Sequence, residues 1–258
     1  MGREARCTVD GIVLDAGGVL LLPDPRTVRK HLAPFGVCPS DEECARAHYV
    51  GMATIDAVST GDFLEADRAI ARYFGVAEAD RTAAAAALGD AFCSAWVPIA
   101  GVADQLRRLA ATGVPLAIVS NASGTMEAEL SSFGICAVGG RAAGRDVPEV
   151  AVVVDSCVVG VEKPDPAIFA FAMDVLDVPP ERCLYVGDSV HFDVNGAAAA
   201  GLRPVHLTSM DCPGLHPHCR TLSEFVDDFL KGASASLTRS VTFGPRPPQG
   251  EPARLHLW

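Results

Sequence analysis

The strongest constraint on the fold is the regular alternation of short apolar runs and helical patterns that begins near residue 101. The apolar runs predict strands at 114–119, 150–154, 183–186 and 202–207. The helical patterns lie at 101–112, 125–133, 165–177, 191–200 and 221–230. Strands that alternate with helices in this way form right-handed βαβ units and a doubly wound parallel sheet. The N-terminal run TVDGIVLD (8–15), stopped by two glycines, predicts one further buried strand.

Residues 25–97 have a different character. They are rich in Ala, Glu, Asp and Arg, and segments such as EADRAIARYFGV (65–76) have helical spacing. We therefore predict an α/β core formed by residues 1–22 and 98–231, with an α-helical cap inserted at 23–97. The Gly- and Arg-rich stretch 139–148 is expected to be an irregular excursion, and the Ser- and Pro-rich residues 232–258 a flexible tail.

The charge of the chain excludes two classes of partner. The formal net charge is −11 and the sequence pI is about 5.0, so the chain lacks the basic footprint of a nucleic-acid or anionic-membrane binder. No apolar run approaches the roughly 20 residues needed to span a bilayer. The N-terminal residues MGREARCTVDG are not followed by the apolar stretch of a secretory signal. We expect a soluble, cytoplasmic protein.

The nine cysteines are scattered and form no CxxC pair, which fits a reducing compartment. One cluster combines residue types that bind zinc: Cys212, His216, His218 and Cys219 lie within eight residues. However, two prolines interrupt the segment, and the four residues are closer together than the usual paired ligands. This composition favours a Pro-rich surface loop over a metal site, and we keep both interpretations open.

Polar residues follow the predicted strands where each strand ends. They are Asp15 with Gly17 and Gly18, Ser120 with Asn121, Lys163, and Asp188 with Asp193. In an open α/β sheet these strand ends form one edge, where ligands bind. Clustered carboxylates repel one another unless a hard cation such as Mg²⁺ binds between them. A lysine, a hydroxyl and close backbone at glycines suit a phosphoryl group, and an aspartate at the apex can act as nucleophile.

Four segments, in order, resemble the motifs of the haloacid dehalogenase superfamily: LDAGGVL (14–20), VSNAS (119–123), EKPDPAIF (162–169) and VGDSVHFDVNGAAAAG (186–201). The resemblance extends from residue 8 to about 230. The helical insertion is similar to the C1-type cap of subfamily I. The resemblance implies a Rossmann-like core and a magnesium-dependent phosphatase that acts on a small phosphorylated metabolite.

The resemblance also implies roles for individual residues. Asp15 is the nucleophile, and Lys163 stabilises the phosphoryl group as a further catalytic residue. The phosphate is bound by Gly17, Gly18, Ser120, Asn121 and Lys163. The magnesium ion is held by Asp15, the carbonyl of Gly17, Asp188 and Asp193.

The chain departs from the family pattern at Gly17, where phosphatases usually carry the aspartate that protonates the leaving group. His191 and the cap residues His48, Asp56 and Asp62 are candidate replacements. Substrate contacts are expected from the cap, with His48, Tyr49, Met52 and Arg68 as candidates.

Two alternatives stay open. A 2-haloacid dehalogenase needs no leaving-group acid and would use Asp15 without a metal, but the retained acidic pair favours phosphoryl chemistry. A non-catalytic binding protein on the same fold would be favoured by loss of Asp15 or Lys163, and both are present.

Overall fold

The computed structural model describes residues 9–58, 62–142, 144–212 and 216–232. The strands are β1 (Gly11–Leu14), β2 (Leu21–Pro23), β3 (Trp96–Pro98), β4 (Leu116–Ser120), β5 (Ala137–Val138), β6 (Arg141–Ala142), β7 (Arg145–Asp146), β8 (Glu149–Val150), β9 (Val152–Asp155), β10 (Cys183–Gly187), β11 (Arg203–Leu207) and β12 (His218–Cys219). The helices are α1 (Pro25–Leu32), α2 (Asp41–Val58), α3 (Phe63–Tyr73), α4 (Arg81–Ser94), α5 (Val102–Ala110), α6 (Met126–Ser132), α7 (Ser156–Val159), α8 (Ala167–Leu176), α9 (Asn195–Ala199) and α10 (Leu222–Leu230).

A parallel sheet of six strands forms the core, in the order β12-β11-β10-β1-β4-β9. Strand β1 lies between β10 and β4, so the chain leaves it toward one edge of the sheet and later returns on its other side. This reversal creates the crevice in which open α/β sheets bind ligands. The doubly wound parallel sheet predicted from the sequence is confirmed.

Both faces of this sheet are buried, as parallel sheets require. Successive residues of a strand point to opposite faces, so Ile12 and Leu14 pack with α5 and α10, whereas Val13 packs with α8. The apolar runs that the sequence shows are therefore continuous, because each strand has apolar neighbours on both sides.

Helices α1–α4 lie between β2 and β3, which pair antiparallel and connect this helical insertion to the core. The insertion has its own hydrophobic cluster, which includes Val28, Leu32, Ile70 and Leu88. Helix α2 extends from this cluster to the strand ends of the core. There Tyr49 donates a hydrogen bond to the carbonyl of Gly18 at 2.7 Å.

The prediction for residues 139–148 was wrong in part. This stretch contains β6 and β7, which pair antiparallel, and it is flanked by β5 and β8, which pair parallel. Pairs of only two residues produce no periodicity, so no sequence window could show them. The helix predicted at 191–200 instead begins as a π-helical turn, Val190–Val194, and continues as α9. The predicted tail lies outside the described residues.

No described helix is both long enough and apolar enough to cross a membrane.

Candidate active site

Lys163 connects two of the predicted site carboxylates. Its ammonium group lies 2.9 Å from Asp15 Oδ1 and 2.7 Å from Asp193 Oδ1. All three side chains are more than nine-tenths buried. Asp15 directly follows β1 and Asp193 lies in the turn after β10, so the sheet brings together residues that are 178 positions apart in sequence.

Two neighbours hold the lysine in place. The Asn121 side chain accepts a hydrogen bond from the backbone N–H of Lys163 and donates one to its carbonyl, at 2.7 and 2.9 Å. Lys163 Nζ also donates to the hydroxyl of Tyr185, which donates in turn to Asp193 at 2.7 Å. Burial, followed by the charge of Asp193, raises the pKa of Tyr185 well above its ordinary value, so its hydroxyl stays a donor.

Asp188 reaches the same place from the end of β10. Its Oδ2 lies 2.6 Å from His48 Nε2 on helix α2, and both side chains are buried. A Cβ on Gly18, whose φ is 66°, would overlap the Asp188 carboxylate, and a Cβ on Gly187 would overlap Asp193. Glycine at these two positions therefore provides the space that the carboxylates occupy.

The three aspartates suit a divalent cation. One oxygen each from Asp15, Asp188 and Asp193 lies within 4.8 Å of the others. Burial raises the pKa of Asp15 to about 7, opposed by Lys163 and assisted by the two other carboxylates. Burial also raises the pKa of Asp188, opposed by His48. Three carboxylates against one ammonium leave two negative charges, which a hard divalent ion with oxygen ligands would balance.

A cavity of about 610 Å³ opens above these groups, between the core and the helical insertion. Ser120, Asn121 and Gly17 line it from the core side, and His48 and Met52 from α2. The rest of the lining is largely apolar: Phe63, Ile70, Phe92, Trp96, Met126, Phe133 and Phe192. The structure thus has room for an organic group beside the aspartates.

Of the four candidate proton donors, only His48 is among the described residues that line this cavity. Asp56 accepts hydrogen bonds from the Ser189 hydroxyl and the His191 backbone N–H, both at 2.8 Å, and so joins α2 to the turn that carries Asp193. Asp62 caps α3 through the backbone N–H of Leu64.

The four candidate substrate contacts do not all line the cavity. His48 and Met52 line the cavity, whereas Arg68 pairs with Glu65 on its own helix. Tyr49 holds the Gly18 carbonyl.

The four residues Cys212, His216, His218 and Cys219 do not come together as one group. Cys219 is buried in the core on β12, and His218 is exposed, with its Nδ1 against the carbonyl of His216. Cys212 and His216 instead meet His206, at the end of β11. The sequence cluster therefore contained Cys212 and His216, but it did not contain His206. His206 joins them because β11 pairs with β12.

Sequence reasoning missed Tyr185, Gly187 and Asp155. Tyr185 is a hydroxyl-bearing residue inside an otherwise apolar strand, and this pattern could have indicated from the sequence that its hydroxyl belongs to the site. Asp155 ends β9 and accepts from the N–H groups of Gly124 and Met126, and so holds the loop after β4. Because it belongs to no quoted motif, only the pairing of β4 with β9 shows its place.

The fold and the site define a class of enzyme: an α/β core whose strand ends hold a buried aspartate cluster and a lysine beneath a helical insertion. A profile of haloacid dehalogenase-like hydrolases matches residues 9–201. The chain belongs to this family of hydrolases, as the motifs suggested.

The chain is also similar to individual phosphatases and to solved structures. A phosphoglycolate phosphatase of Pseudomonas putida is 30% identical over 212 residues, which are 76% of this chain and 68% of that protein. The structure of a HAD phosphatase from Thermococcus onnurineus matches 87% of this chain and 98% of its own, with a TM-score of 0.50 and 20% identity. An L-2-haloacid dehalogenase from Xanthobacter autotrophicus matches 86% and 99%, with a TM-score of 0.51 and 18% identity. At such identities the two structures support the fold alone.

We predict that the two neighbouring glycines respond differently to one added methyl group. Gly18→Ala places its Cβ within the Asp188 carboxylate and should lower hydrolytic turnover by about 10- to 100-fold, because a buried carboxylate of the candidate site must move. Gly17→Ala places its Cβ 3.5 Å from the Trp96 ring, an ordinary contact, and should retain turnover near that of the parent. Steady-state kinetics across a magnesium titration measure both. Equal losses in the two variants would contradict this reading of the turn.

Proposed function

We propose that this protein is a magnesium-dependent phosphatase that hydrolyses a small phosphate monoester through an aspartyl-phosphate on Asp15. The observation that carries the proposal is the buried group of Asp15, Asp188, Asp193 and Lys163 at one end of the sheet. The names of the relatives point the same way, since they include phosphatases of glycolate, glyceraldehyde and serine phosphates.

The lysine and the serine suit the attack step. In it, an Asp15 oxygen forms a bond to phosphorus while the bond from phosphorus to the leaving oxygen breaks. Lys163 is positioned to offset charge on the other phosphoryl oxygens, and Ser120 lines the same cavity. A magnesium ion held by the three aspartates and the Gly17 carbonyl would offset further charge. Water then cleaves the aspartyl-phosphate and releases inorganic phosphate.

The leaving alcohol oxygen must gain a proton, and Gly17 has no side chain to supply it. Among the candidates, His48 is favoured because its ring lines the cavity together with Asp15 and Gly17. We propose that the His48 ring, whose Nε2 contacts Asp188, supplies this proton to the alcohol. The His48 ring lies edge-on to both Tyr49 and Trp96, and these contacts fix its plane.

A further prediction concerns the nucleophile. Asp15→Asn should lower phosphatase kcat by at least about a thousandfold, because the reaction loses its covalent step. Asp10→Asn makes the same chemical change outside the cavity and should leave kcat unaltered. Phosphate release in magnesium, with circular dichroism to confirm folding, is the measurement. Retained turnover in Asp15→Asn would refute the assignment.

The same assay separates the alternatives. Beryllofluoride should bind wild-type protein in magnesium as a mimic of the aspartyl-phosphate, and should fail to bind Asp15→Asn. Halide release from 2-haloacids in EDTA, without phosphate release in magnesium, would instead show a dehalogenase. No turnover of either kind, together with no beryllofluoride binding, would show a non-catalytic protein.

Another prediction concerns the proton donor that is absent at Gly17. Gly17→Asp restores a carboxyl group where a Cβ is sterically allowed. It should raise kcat/KM for alkyl phosphates by at least about tenfold and leave aryl phosphates little changed, because only poor leaving groups need the proton. Gly17→Asn, of the same shape without the acid, should give no such gain. A uniform change across both ester classes would contradict the prediction.

His48→Gln tests the proposed donor by the same comparison. The glutamine keeps an N–H that can reach Asp188 but cannot transfer a proton to the alcohol. Loss of alkyl ester turnover with aryl turnover retained supports donation by His48. An equal loss on both would show that His48 acts only by placing Asp188.

A further inference from the structure

A second cluster of metal-binding residue types lies directly behind the site, on the far side of Asp188. It consists of His206 at the end of β11 and of Cys212 and His216 in the segment that leads to β12. His206 Nδ1 lies 3.0 Å from His216 Nε2, and Cys212 Sγ lies 3.3 Å from His216 Nε2 and 3.6 Å from His206 Nδ1.

Hydrogen bonding fixes which nitrogen of His206 is available. Its Nε2 lies 3.1 Å from the backbone carbonyl of Asp188, and a carbonyl can only accept. The proton therefore sits on Nε2, and the lone pair of Nδ1 points toward Cys212 and His216. A histidine whose second nitrogen donates to a backbone carbonyl is the usual arrangement of a metal ligand.

The spacing of the three atoms fits a tetrahedral ion. Bonds of about 2.1 Å to nitrogen and about 2.3 Å to sulfur place two nitrogens about 3.4 Å apart and nitrogen and sulfur about 3.6 Å apart. The observed separations are within about 0.4 Å of these values.

We propose that His206 Nδ1, Cys212 Sγ and His216 Nε2 bind one Zn²⁺ ion, with solvent as the fourth ligand. Two imidazoles and a thiolate select zinc over magnesium, which prefers oxygen. The two cation sites are therefore chemically distinct. The ion fixes Cys212 and His216 relative to β11 and, through the bond from His206 to the Asp188 carbonyl, the backbone of a proposed magnesium ligand.

The test uses the full chain, purified without a metal-affinity step and dialysed against Zn²⁺ with excess Mg²⁺ to fill the oxygen site. We expect one tightly held zinc per chain by elemental analysis. Replacement by Co²⁺ should give the visible bands of tetrahedral cobalt together with a thiolate charge-transfer band. Zinc should also raise the midpoint of thermal unfolding, because it binds only the folded chain.

Matched variants separate this site from its sequence neighbours. Cys212→Ser and His216→Ala should lose the bound zinc and the thermal shift. His218→Ala, which removes an exposed neighbour, and Cys157→Ser, which removes an exposed thiol, should retain both. The proposal is overturned if wild-type protein retains no zinc, or if Cys212→Ser still binds zinc while its cobalt form lacks the thiolate band. It is also overturned if His218→Ala loses zinc to the same extent as Cys212→Ser.

A separate observation concerns the cavity and rests on the proposed function. Asp67 on α3 lines the cavity and is only 8% exposed, among apolar neighbours that include Ile70 and Phe92. No described residue gives it a hydrogen bond or an ion pair. Burial raises the pKa of Asp67 to about 6, so its carboxyl group ionises less readily than a free one. A ligand that donates a hydrogen bond to it would favour the charged form.

The other charges in the cavity strengthen this reading. Among the described lining residues, the only basic side chains are Lys163 and His48, and both contact aspartates of the site. No described cation faces the apolar part. A second anionic group on the substrate, such as the carboxylate of phosphoglycolate, would find no partner there.

We infer that Asp67 selects phosphate monoesters whose far end carries an ammonium or hydroxyl group and disfavours those with a carboxylate. Amino-, hydroxy-, methyl- and carboxy-terminated alkyl phosphates of equal length provide the test. The wild type should prefer the amino over the carboxy ester by at least about tenfold in kcat/KM. Asp67→Asn should reduce this preference, with Glu129 the remaining acid of the lining outside the aspartate cluster, and Asp90→Asn, on exposed helix surface, should keep it.

The outcomes distinguish the proposed role of Asp67 from the proposed phosphatase function. An unchanged amino-to-carboxy ratio in Asp67→Asn, with the methyl ester still cleaved, overturns the role of Asp67 alone. A wild-type preference for the carboxy ester does the same. If wild-type protein with magnesium cleaves none of the four esters, both proposals fail.

Discussion

The bond of Lys163 to Asp15 and Asp193 is the interaction on which the site depends. Burying an ammonium and two carboxylates costs several kcal/mol per ion unless each finds a well-placed partner. Here the lysine backbone is held by Asn121, and its ammonium group reaches both acids and a tyrosine hydroxyl. Loss of the Lys163 ammonium group would leave two buried carboxylates without their cation. These contacts therefore favour the observed arrangement, which places Asp15 at the cavity.

The helical insertion completes the site as well as covering it. Helix α2 contributes His48 to Asp188, Tyr49 to the Gly18 carbonyl, and Asp56 to the turn after β10. Each contact joins the insertion to a loop that carries a site aspartate or its neighbour. Movement of α2 away from the core would break all three together. The position of the insertion and the geometry of the aspartates are therefore coupled, and a substrate that fills the cavity acts on both.

The core strands and the candidate site residues could be predicted because both depend on local signals. Most core strands are apolar runs, and Asp15, Ser120 and Asp188 lie at strand ends, whereas Lys163 follows β9 after the short helix α7. Strand order brings these residues to one edge. The remaining features depend on contacts between distant segments. His206 joins Cys212 and His216 only because β11 pairs with β12, and Asp67 is notable because no described residue gives it a hydrogen bond or an ion pair. The two-residue strands between 137 and 150 are too short to leave a pattern.

Asp188 is the point where these constraints meet. Its carboxylate is positioned by His48 from one side and by the missing Cβ of Gly18 from the other. Its backbone carbonyl is fixed from behind by His206, whose opposite nitrogen faces the cysteine and the second histidine. A zinc ion there would hold the imidazole, the imidazole would hold the carbonyl, and the carbonyl would limit how far the carboxylate can turn. One cation site would then set the rigidity of the other through a single hydrogen bond, although the two share no ligand.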